Sequence, residues 1–251
     1  MEVHHHSHTA RKKWPHYFWE FLMLFLAVFC GFLAENQREH MIEHQREKQF
    51  MRSLLKDLES DTANFNRSIT VFQSNVKWFD SLRSSIKSPG SPEDILNAYK
   101  ASTLVQNFSS FNYSDRTIEQ LRSAGNFRLI RRTAVSDSII FYDRYIRHTY
   151  LALEKIVEQH SLQLSNMQND LFDYDVSNSL FSKNLNDRFA VKVDSFPLPL
   201  KLLTHNEQQL AHYYNSFGTY RNWCQRIANH SRIARIGATR LIEIIKTQYQ
   251  L

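Results

Sequence analysis

The segment from Tyr17 to Ala34, YFWEFLMLFLAVFCGFLA, constrains the fold of this chain more than any other. The residues from Phe21 to Ala34 carry no charge and no strongly polar side chain. A bilayer core needs about 20 largely apolar residues in helical form, with a range of roughly 17 to 25. We therefore predict one transmembrane helix within residues 14–35. A cleaved signal peptide is the alternative, but no Ala-x-Ala-like cleavage site with small residues follows the segment.

The flanks of this segment suit a membrane interface. Trp14, Tyr17 and Trp19 are of the residue types that settle at the headgroup level. Pro15 is tolerated in a first helical turn, so the helix is expected to begin there or at the next residue. Glu20 is the charged residue of the run, and a carboxylate inside a membrane segment is a functional candidate by default, although near the interface it can reach water. Trp14, Tyr17, Trp19 and Glu20 are the predicted membrane-anchor residues, and the lipid bilayer is the predicted partner.

The N-terminal tail of residues 1–13 is polar and rich in histidine. Neutral imidazole binds zinc, copper and nickel, so the tail offers candidate metal ligands. The alternatives are an expression tag or a polar tail without a metal site. The candidate ligands are His4, His5, His6 and His8.

A second metal pattern follows the apolar segment. His40, Glu43 and His44 match the HxxEH spacing of the inverted zinc peptidases, in which two histidines hold zinc and a glutamate activates water. Charged residues of both signs surround the motif, however, and they repeat every four residues. We therefore interpret it as the solvated face of a juxtamembrane helix.

Composition favours an all-α fold. The chain of 251 residues has five Gly and five Pro, too few for the many turns of a β-sandwich or barrel. Its net charge of +6 is spread without a block of like charges, which does not suit nucleic acid. Cys30 lies in the apolar segment and Cys224 near the end of the chain, so no disulfide is expected.

Three long helices are predicted from apolar periodicity. The first continues the anchor helix, because no Gly or Pro occurs between residues 35 and 87. Its stripe advances in steps of three and four: Met51, Leu55, Leu58, Thr62, Phe65, Ile69, Phe72, Val76, Phe79 and Ile86. The second covers about Ala134 to Leu171 and carries Ile139, Tyr142, Ile146, Leu153, Ile156, His160, Met167 and Leu171.

The third long helix is predicted to open at Thr204, with Glu207 as its capping-box partner. Its stripe is Leu210, Tyr213, Phe217, Tyr220, Cys224, Ile227, Ser231, Ala234, Ala238, Leu241 and Ile245. A solvated cationic face is expected from Arg221, Arg226, Arg232, Arg235, Arg240 and Lys246.

Local signals predict the breaks between these helices. SPGSPED (88–94) ends the first helix, and Ser91 can cap a short helix that follows. Residues 106–115 form an aromatic and polar loop. Thr117 and Gln120 have capping-box spacing, and Gly125 sits where a helix needs a left-handed C-terminal residue. Residues 173–203 are irregular, with an extended pair at Pro197 and Pro199 and a short extended segment at 189–193.

The predicted fold class is therefore all-α: one N-terminal transmembrane helix that continues into a long-helix bundle. The bundle has three long helices plus short ones, antiparallel, with coiled-coil-like packing. The predicted domains are a His-rich tail (1–13), a transmembrane helix (14–35) and a helical domain (36–251).

Two passages together resemble an uncharacterised family of bacterial single-pass membrane proteins. They are MEVHHHSHTARKKWPHYFWEFLMLFLAVFCGFLAEN at the start and TIEQLRSAGNFRLI in the middle of the chain. The resemblance covers the anchor, its flanks and the middle of the domain, and it implies no activity, substrate or catalytic residue. It does imply that the His-rich start is native and that the anchor is not cleaved.

The sequence contains no Gly-rich phosphate loop, no nucleophile elbow and no paired metal motif beyond HxxEH, so we predict no enzyme and no cofactor. The first hypothesis is a membrane-anchored helical interaction or scaffold protein that docks a protein partner or self-associates. The second is a sensory or regulatory bundle coupled to the membrane helix. The third is an accessory subunit of an ion-linked membrane complex, motivated by Glu20.

The predicted localisation is the bacterial inner membrane, with the helical domain in the periplasm. Three Lys or Arg residues precede the anchor and a similar number follow it, so the positive-inside rule does not decide the orientation. The glutamates among the following cations, and a short basic N-terminus before a first apolar segment, favour the periplasm.

Overall fold

All regular structure in the described part of the chain is helical. The computed structural model describes residues 14–87, 91–105, 107–123, 125–179 and 200–251, and within these ranges it contains no strand. This confirms the predicted all-α class. The helices are α1 (Trp14–Lys87), α2 (Pro92–Leu104), α3 (Arg116–Ser123), a 3₁₀ turn (Asn126–Leu129), α4 (Thr133–Tyr145), a π-helical turn (Ile146–Tyr150), α5 (Leu151–Gln168), α6 (Tyr174–Ser179) and α7 (Glu207–Tyr249).

The chain divides into two compact units, Met1–Phe50 and Met51–Leu251. In the first, all described residues belong to α1. By length and composition, this part of α1 could cross a membrane. Its apolar window of 18 residues has a mean hydropathy of 2.0, and none of that window is buried. It is a candidate membrane span near the N-terminus.

In the second unit, α1 buries a stripe that includes polar side chains. Seven of the ten predicted positions are buried, but Thr62, Ile69 and Val76 are only half-buried. Their preceding neighbours Asp61, Ser68 and Asn75 are buried in their place. The prediction was therefore displaced by one residue at these three turns, where Thr62, Ile69 and Val76 each follow a buried polar residue. The buried stripe is Leu54, Leu58, Asp61, Phe65, Ser68, Phe72, Asn75, Phe79, Leu82 and Ile86.

The predicted helix 134–171 is present, interrupted by the π-helical turn Ile146–Tyr150. A π turn holds one residue more than an α turn and so shifts the phase of the helix that follows. The stripe Ile139, Tyr142 and Ile146 is buried as predicted. Beyond the turn, the predicted Leu153 and Leu171 are buried, whereas the predicted Ile156, His160 and Met167 are not. Val157 and Leu164 are buried in their place.

In α7 every predicted stripe residue except Leu210 is buried. The helix begins at Glu207 rather than Thr204, because the Asn206 side chain accepts hydrogen bonds from the backbone N–H groups of Gln208 and Gln209 at 2.9 and 3.2 Å. The Thr204 hydroxyl lies before this cap and accepts the Asn206 N–H at 3.1 Å.

The predicted cationic face of α7 is only partly solvated. Arg221 donates to both carboxylate oxygens of Asp80 at 2.8 and 2.9 Å. Arg235 donates to the side chain of Asn66 at 2.7 Å, and Lys246 lies 3.7 Å from Glu59. Three of the six cations therefore contact α1, because this face of α7 lies beside it.

The short elements follow the local signals closely. Ser91 caps α2 through a capping box with Asp94, as predicted. Gly125 adopts the predicted left-handed conformation, with φ of 63°. Thr117, by contrast, lies inside α3, and its backbone N–H and hydroxyl both donate to Asp57 of α1. Helix α6 lies within the segment predicted to be irregular. The predicted extended residues 189–193 and both prolines lie outside the described residues.

Candidate functional site

A half-open cavity of about 530 Å³ lies between α4 and α7. We call it the α4–α7 groove. Its lining is mainly aliphatic and aromatic: Phe141, Tyr142 and Tyr145 come from α4, and Ile233, Ala234, Ile236, Gly237, Leu241 and Ile244 come from α7. This volume is within the range of about 300 to 1,000 Å³ typical of binding sites.

Large apolar side chains are exposed at the groove. Phe141 is 74% exposed, and Ile233 and Ile236 are 52% and 56% exposed. Ile140, next to Phe141 on α4, is also half exposed. These side chains lie together instead of being scattered singly, and grouped apolar exposure is typical of interaction surfaces, ligand grooves and aggregation-prone surfaces.

Two charged side chains contribute to the lining, Asp137 on α4 and Arg240 on α7. Both are exposed. Within the described ranges neither side chain has an ion-pair or hydrogen-bond partner. Ser138, the other polar lining residue, donates its hydroxyl to the Ala134 carbonyl at 2.7 Å. Within the described part of the chain, the groove thus offers one unpaired anion and one unpaired cation beside an apolar surface.

The wall of the groove is connected to the interior through Tyr142. Its ring lines the groove, and its hydroxyl donates a 2.7 Å hydrogen bond to Asp61 of α1. Burial raises the pKa of Tyr142 well above its ordinary value, and the neighbouring Asp61 charge raises it further. Burial also raises the pKa of Asp61 to about 6, even though hydrogen bonds from Tyr142 and Ser114 oppose the shift.

Asp61 is one of three carboxylates that hold the segment from Phe111 to Thr117, which runs from the loop after α2 into the first turn of α3. Glu154 accepts the backbone N–H of Phe111 at 2.6 Å, Asp61 that of Ser114 at 2.9 Å, and Asp57 that of Thr117 at 3.1 Å. The three donor residues are spaced three apart. Their amide groups belong to the loop and to the first turn of α3, where the backbone supplies no acceptor, so the carboxylates satisfy them. Burial raises the pKa of Glu154 to about 7.

A charged network closes the outer side of this segment. Asp143 accepts from Tyr113 and from Arg147 Nε, both at 2.8 Å, and also pairs with Arg122. Arg147 reaches Asp115 at 2.8 Å and Glu119 at 2.6 Å as well. Since each carboxylate here is paired with a cation or a tyrosine, the network is suited to fixing the segment in place.

The predicted anchor residues lie together on the candidate span. Trp14, Tyr17 and Trp19 are exposed, and Glu20 lies 3.1 Å from the imidazole of His16 one turn away. This places Glu20 within reach of a polar side chain in the first turns of α1.

The sequence contains two groups of residues with metal-ligand spacing: the candidate ligands of the tail and the HxxEH motif, which was interpreted as a solvated helix face. His4, His5, His6 and His8 lie outside the described residues. In the HxxEH motif, His40 Nδ1 is 4.0 Å from Glu43, while His44 Nδ1 is 3.3 Å from Glu47, which lies outside the motif. No three His, Cys, Asp or Glu side chains are grouped as metal ligands in the described ranges.

Sequence reasoning missed the groove, although a signal was present. Ile139, Ile140, Phe141 and Tyr142 are four consecutive large apolar or aromatic residues. A helix that buries one stripe cannot bury all four, because consecutive residues point about 100° apart. Ile233 and Ile236 likewise lie beside the predicted stripe of α7 and not on it. Excess apolar residues on two helices were the available sign of a second apolar face.

Compared with known protein families, curated proteins and solved structures, the chain matches none.

Proposed function

We propose that this chain is a membrane-anchored helical interaction protein without a catalytic role. The observation that carries the proposal is the α4–α7 groove, where large apolar side chains are exposed beside two charges that have no partner among the described residues. The candidate span would hold the chain in the membrane. The unit 51–251 would then present the groove to a protein partner, as a membrane-tethered scaffold does.

The proposed architecture is an antiparallel bundle of three long helical segments. Its support is the order of the contacts between α1 and α7: Glu59 lies near Lys246, Asn66 near Arg235 and Asp80 near Arg221. Residue numbers rise along one helix while they fall along the other, as in antiparallel neighbours. The buried stripe of α1 repeats in steps of three and four residues, which is the spacing of coiled-coil packing.

The proposed location is the bacterial inner membrane, with the unit 51–251 in the periplasm. It is supported by the resemblance of the N-terminal and TIEQLRSAGNFRLI passages to bacterial single-pass proteins. The Lys and Arg residues on the two sides of the span are nearly balanced, so the orientation is best tested directly. A cysteine introduced at Leu162, which is 62% exposed, should react in intact spheroplasts with a reagent that does not cross the membrane.

The interaction is tested by affinity purification of the full chain from native membranes. Phe141→Asp places a charge on the apolar face of the groove and should abolish co-purification of the partner. Leu162→Asp is the matched control, because it places the same charge at an exposed apolar residue of α5 that does not line the groove. If both variants retain the same partners as the wild type, the groove is not the interaction site.

A sensory or regulatory role is the second candidate, favoured by the position of Tyr142. An occupant of the groove would contact the ring whose hydroxyl holds Asp61, and Asp61 in turn holds the Ser114 amide. Hydrogen exchange at Ser114 should then slow when the groove is occupied. Unchanged exchange at this amide in the presence of the partner would leave the protein as a passive scaffold.

A further inference from the structure

We propose that the partner seated in the α4–α7 groove is a second copy of this chain, related to the first by a two-fold axis that runs along the groove. The inference rests on the proposed function, since it names the occupant of the same site. In such a pair each copy places its α4 against the α7 of the other, and every contact occurs twice.

The first support is the register of α4 and α7 within one chain. A methyl group at Gly237 would lie 3.8 Å from the Tyr142 ring, and the Tyr145 hydroxyl is 2.8 Å from His230 Nδ1. The two helices are therefore antiparallel along the groove, so the start of α4 lies beside the later part of α7. Asp137 and Arg240 consequently lie at the same end of the groove, on opposite sides of it.

The second support is charge complementarity. A two-fold axis along the groove places α4 of one copy over α7 of the other. Each residue keeps its level along the groove. Asp137 of one copy then faces Arg240 of the partner copy, and the reverse pair forms at the same time. Both side chains are exposed, and neither has a side-chain partner within the described part of its own chain. Such a surface is complementary to itself, as a two-fold interface requires.

The third support is shape. Phe141 projects from α4, where it is 74% exposed, and Gly237 is an exposed position of α7 at the corresponding level, without a side chain and beside the Tyr142 ring. The same axis that pairs the charges places Phe141 of one copy opposite Gly237 of the partner copy. A large aromatic side chain thus meets the one groove position of α7 that lacks a side chain. Aromatic residues packed in a recess are the usual energetic centres of protein interfaces.

The experiment uses the full chain in detergent, with two different affinity tags on co-expressed copies. A homodimer of the Asp137→Arg variant would contain two cation–cation pairs, and a homodimer of the Arg240→Asp variant would contain two anion–anion pairs. We expect the dissociation constant of each variant with itself to rise at least about tenfold. Mixed together, the two variants regain both opposite-charge pairs. Each tag should then capture the other chain, with the affinity of the wild-type pair.

The matched control is Lys155→Asp, a charge reversal at an exposed position of α5 outside the groove, which should leave dimerisation unchanged. Native mass spectrometry supplies the stoichiometry, and far-UV circular dichroism confirms that each variant keeps its helix content. A wild-type monomer, or variants that pair with themselves as well as the wild type does, would overturn the second copy as the occupant.

The outcomes also separate this inference from the proposed function. A monomeric wild type that loses a different, identified partner on Phe141→Asp would refute the dimer and retain the interaction site. If neither oligomeric state nor partner binding responds to any groove variant, both proposals fail.

Discussion

The hydroxyl of Tyr142 donates a 2.7 Å hydrogen bond to Asp61 Oδ2, while the ring of the same tyrosine forms part of the α4–α7 groove. One side chain therefore belongs both to an exposed apolar surface and to a buried carboxylate that holds the backbone of Ser114. Tyr142 therefore links the lining of the groove to the hydrogen bonds of Asp61.

Tyr142→Phe should destabilise the protein by about 1 to 3 kcal/mol, because Asp61 loses a donor while it stays buried. The loss of folding stability should be larger at pH 8 than at pH 5. The hydroxyl favours the charged form of Asp61, whose pKa of about 6 would rise further without it. Guanidinium unfolding followed by circular dichroism measures both effects. Tyr174→Phe, at a residue that is 77% exposed, is the control. Equal losses in the two variants would contradict the assigned role.

Glu154→Gln should stabilise the protein at alkaline pH. Burial raises the pKa of Glu154 from 4.5 to about 7, so between these values the folded state binds more protons than the unfolded state. Stability therefore falls as the pH rises through this window. Glutamine carries no charge, and its carbonyl can still accept the Phe111 N–H.

The Gln variant should accordingly be about 1 to 2 kcal/mol more stable than the wild type at pH 8, and its stability should depend less on pH between 5 and 7. Unfolding midpoints across that pH range measure the effect, with the exposed Glu243→Gln as control. A variant less stable than the wild type at pH 8 would show that the ionised carboxylate is required.

Two glycine-to-alanine substitutions should change the stability of the fold in opposite directions. At neither Gly125 nor Gly218 would a methyl group meet another atom within 4 Å, so backbone conformation alone separates them. Gly125→Ala forces a left-handed conformation on alanine and should cost about 1 to 2 kcal/mol. Gly218→Ala lies within α7 and should stabilise the protein by about 0.5 to 1 kcal/mol. Thermal unfolding of the pair tests this, and the same sign for both would be inconsistent with it.

Replacing His40, Glu43 and His44 together by glutamine should leave the fold and metal content unchanged. The two histidines lie near different glutamates, at 4.0 and 3.3 Å, as expected of a solvated helix face. Metal analysis of the purified full chain measures the outcome. A variant lacking His4, His5, His6 and His8 controls for the tail. Stoichiometric zinc that disappears only in the triple variant would instead identify the motif as a metal site.

The helical class, α7 and the candidate span could be predicted because each depends on a local pattern. The stripe of α7 is apolar or small at nearly every turn, so periodicity identified its buried face. The stripe of α1 could not be placed fully in this way. Asp61 is buried because its hydrogen-bond donors come from Ser114 and Tyr142, 53 and 81 residues further along the chain. A hydropathy pattern contains no information about such distant donors, and it selected Thr62 instead.

The three carboxylates that hold the segment from Phe111 to Thr117 were missed for the same reason. Glu154 resembles any surface glutamate of a helix in the sequence, and only the fold places it against the Phe111 amide. The capping signal at Thr117 was recognised as a helix start, but the cap comes from Asp57, 60 residues earlier. Local sequence can indicate that an amide needs an acceptor, whereas the identity of the acceptor depends on tertiary structure.

The π-helical turn Ile146–Tyr150 absorbs one residue more than an α-helix would hold. Tyr142 before the turn and Glu154 after it are both buried, although their spacing of twelve residues would direct them about 120° apart in an uninterrupted α-helix. Deleting one residue from the turn would restore α-helical geometry and leave a spacing of eleven, which directs the two side chains within about 20° of each other. Val157 and Leu164 would then stay in the core, and Glu154 would keep its place beside Phe111. Inserting one residue would instead rotate α5 by about 100° relative to α4. These five positions should therefore tolerate the loss of one residue and not the gain of one.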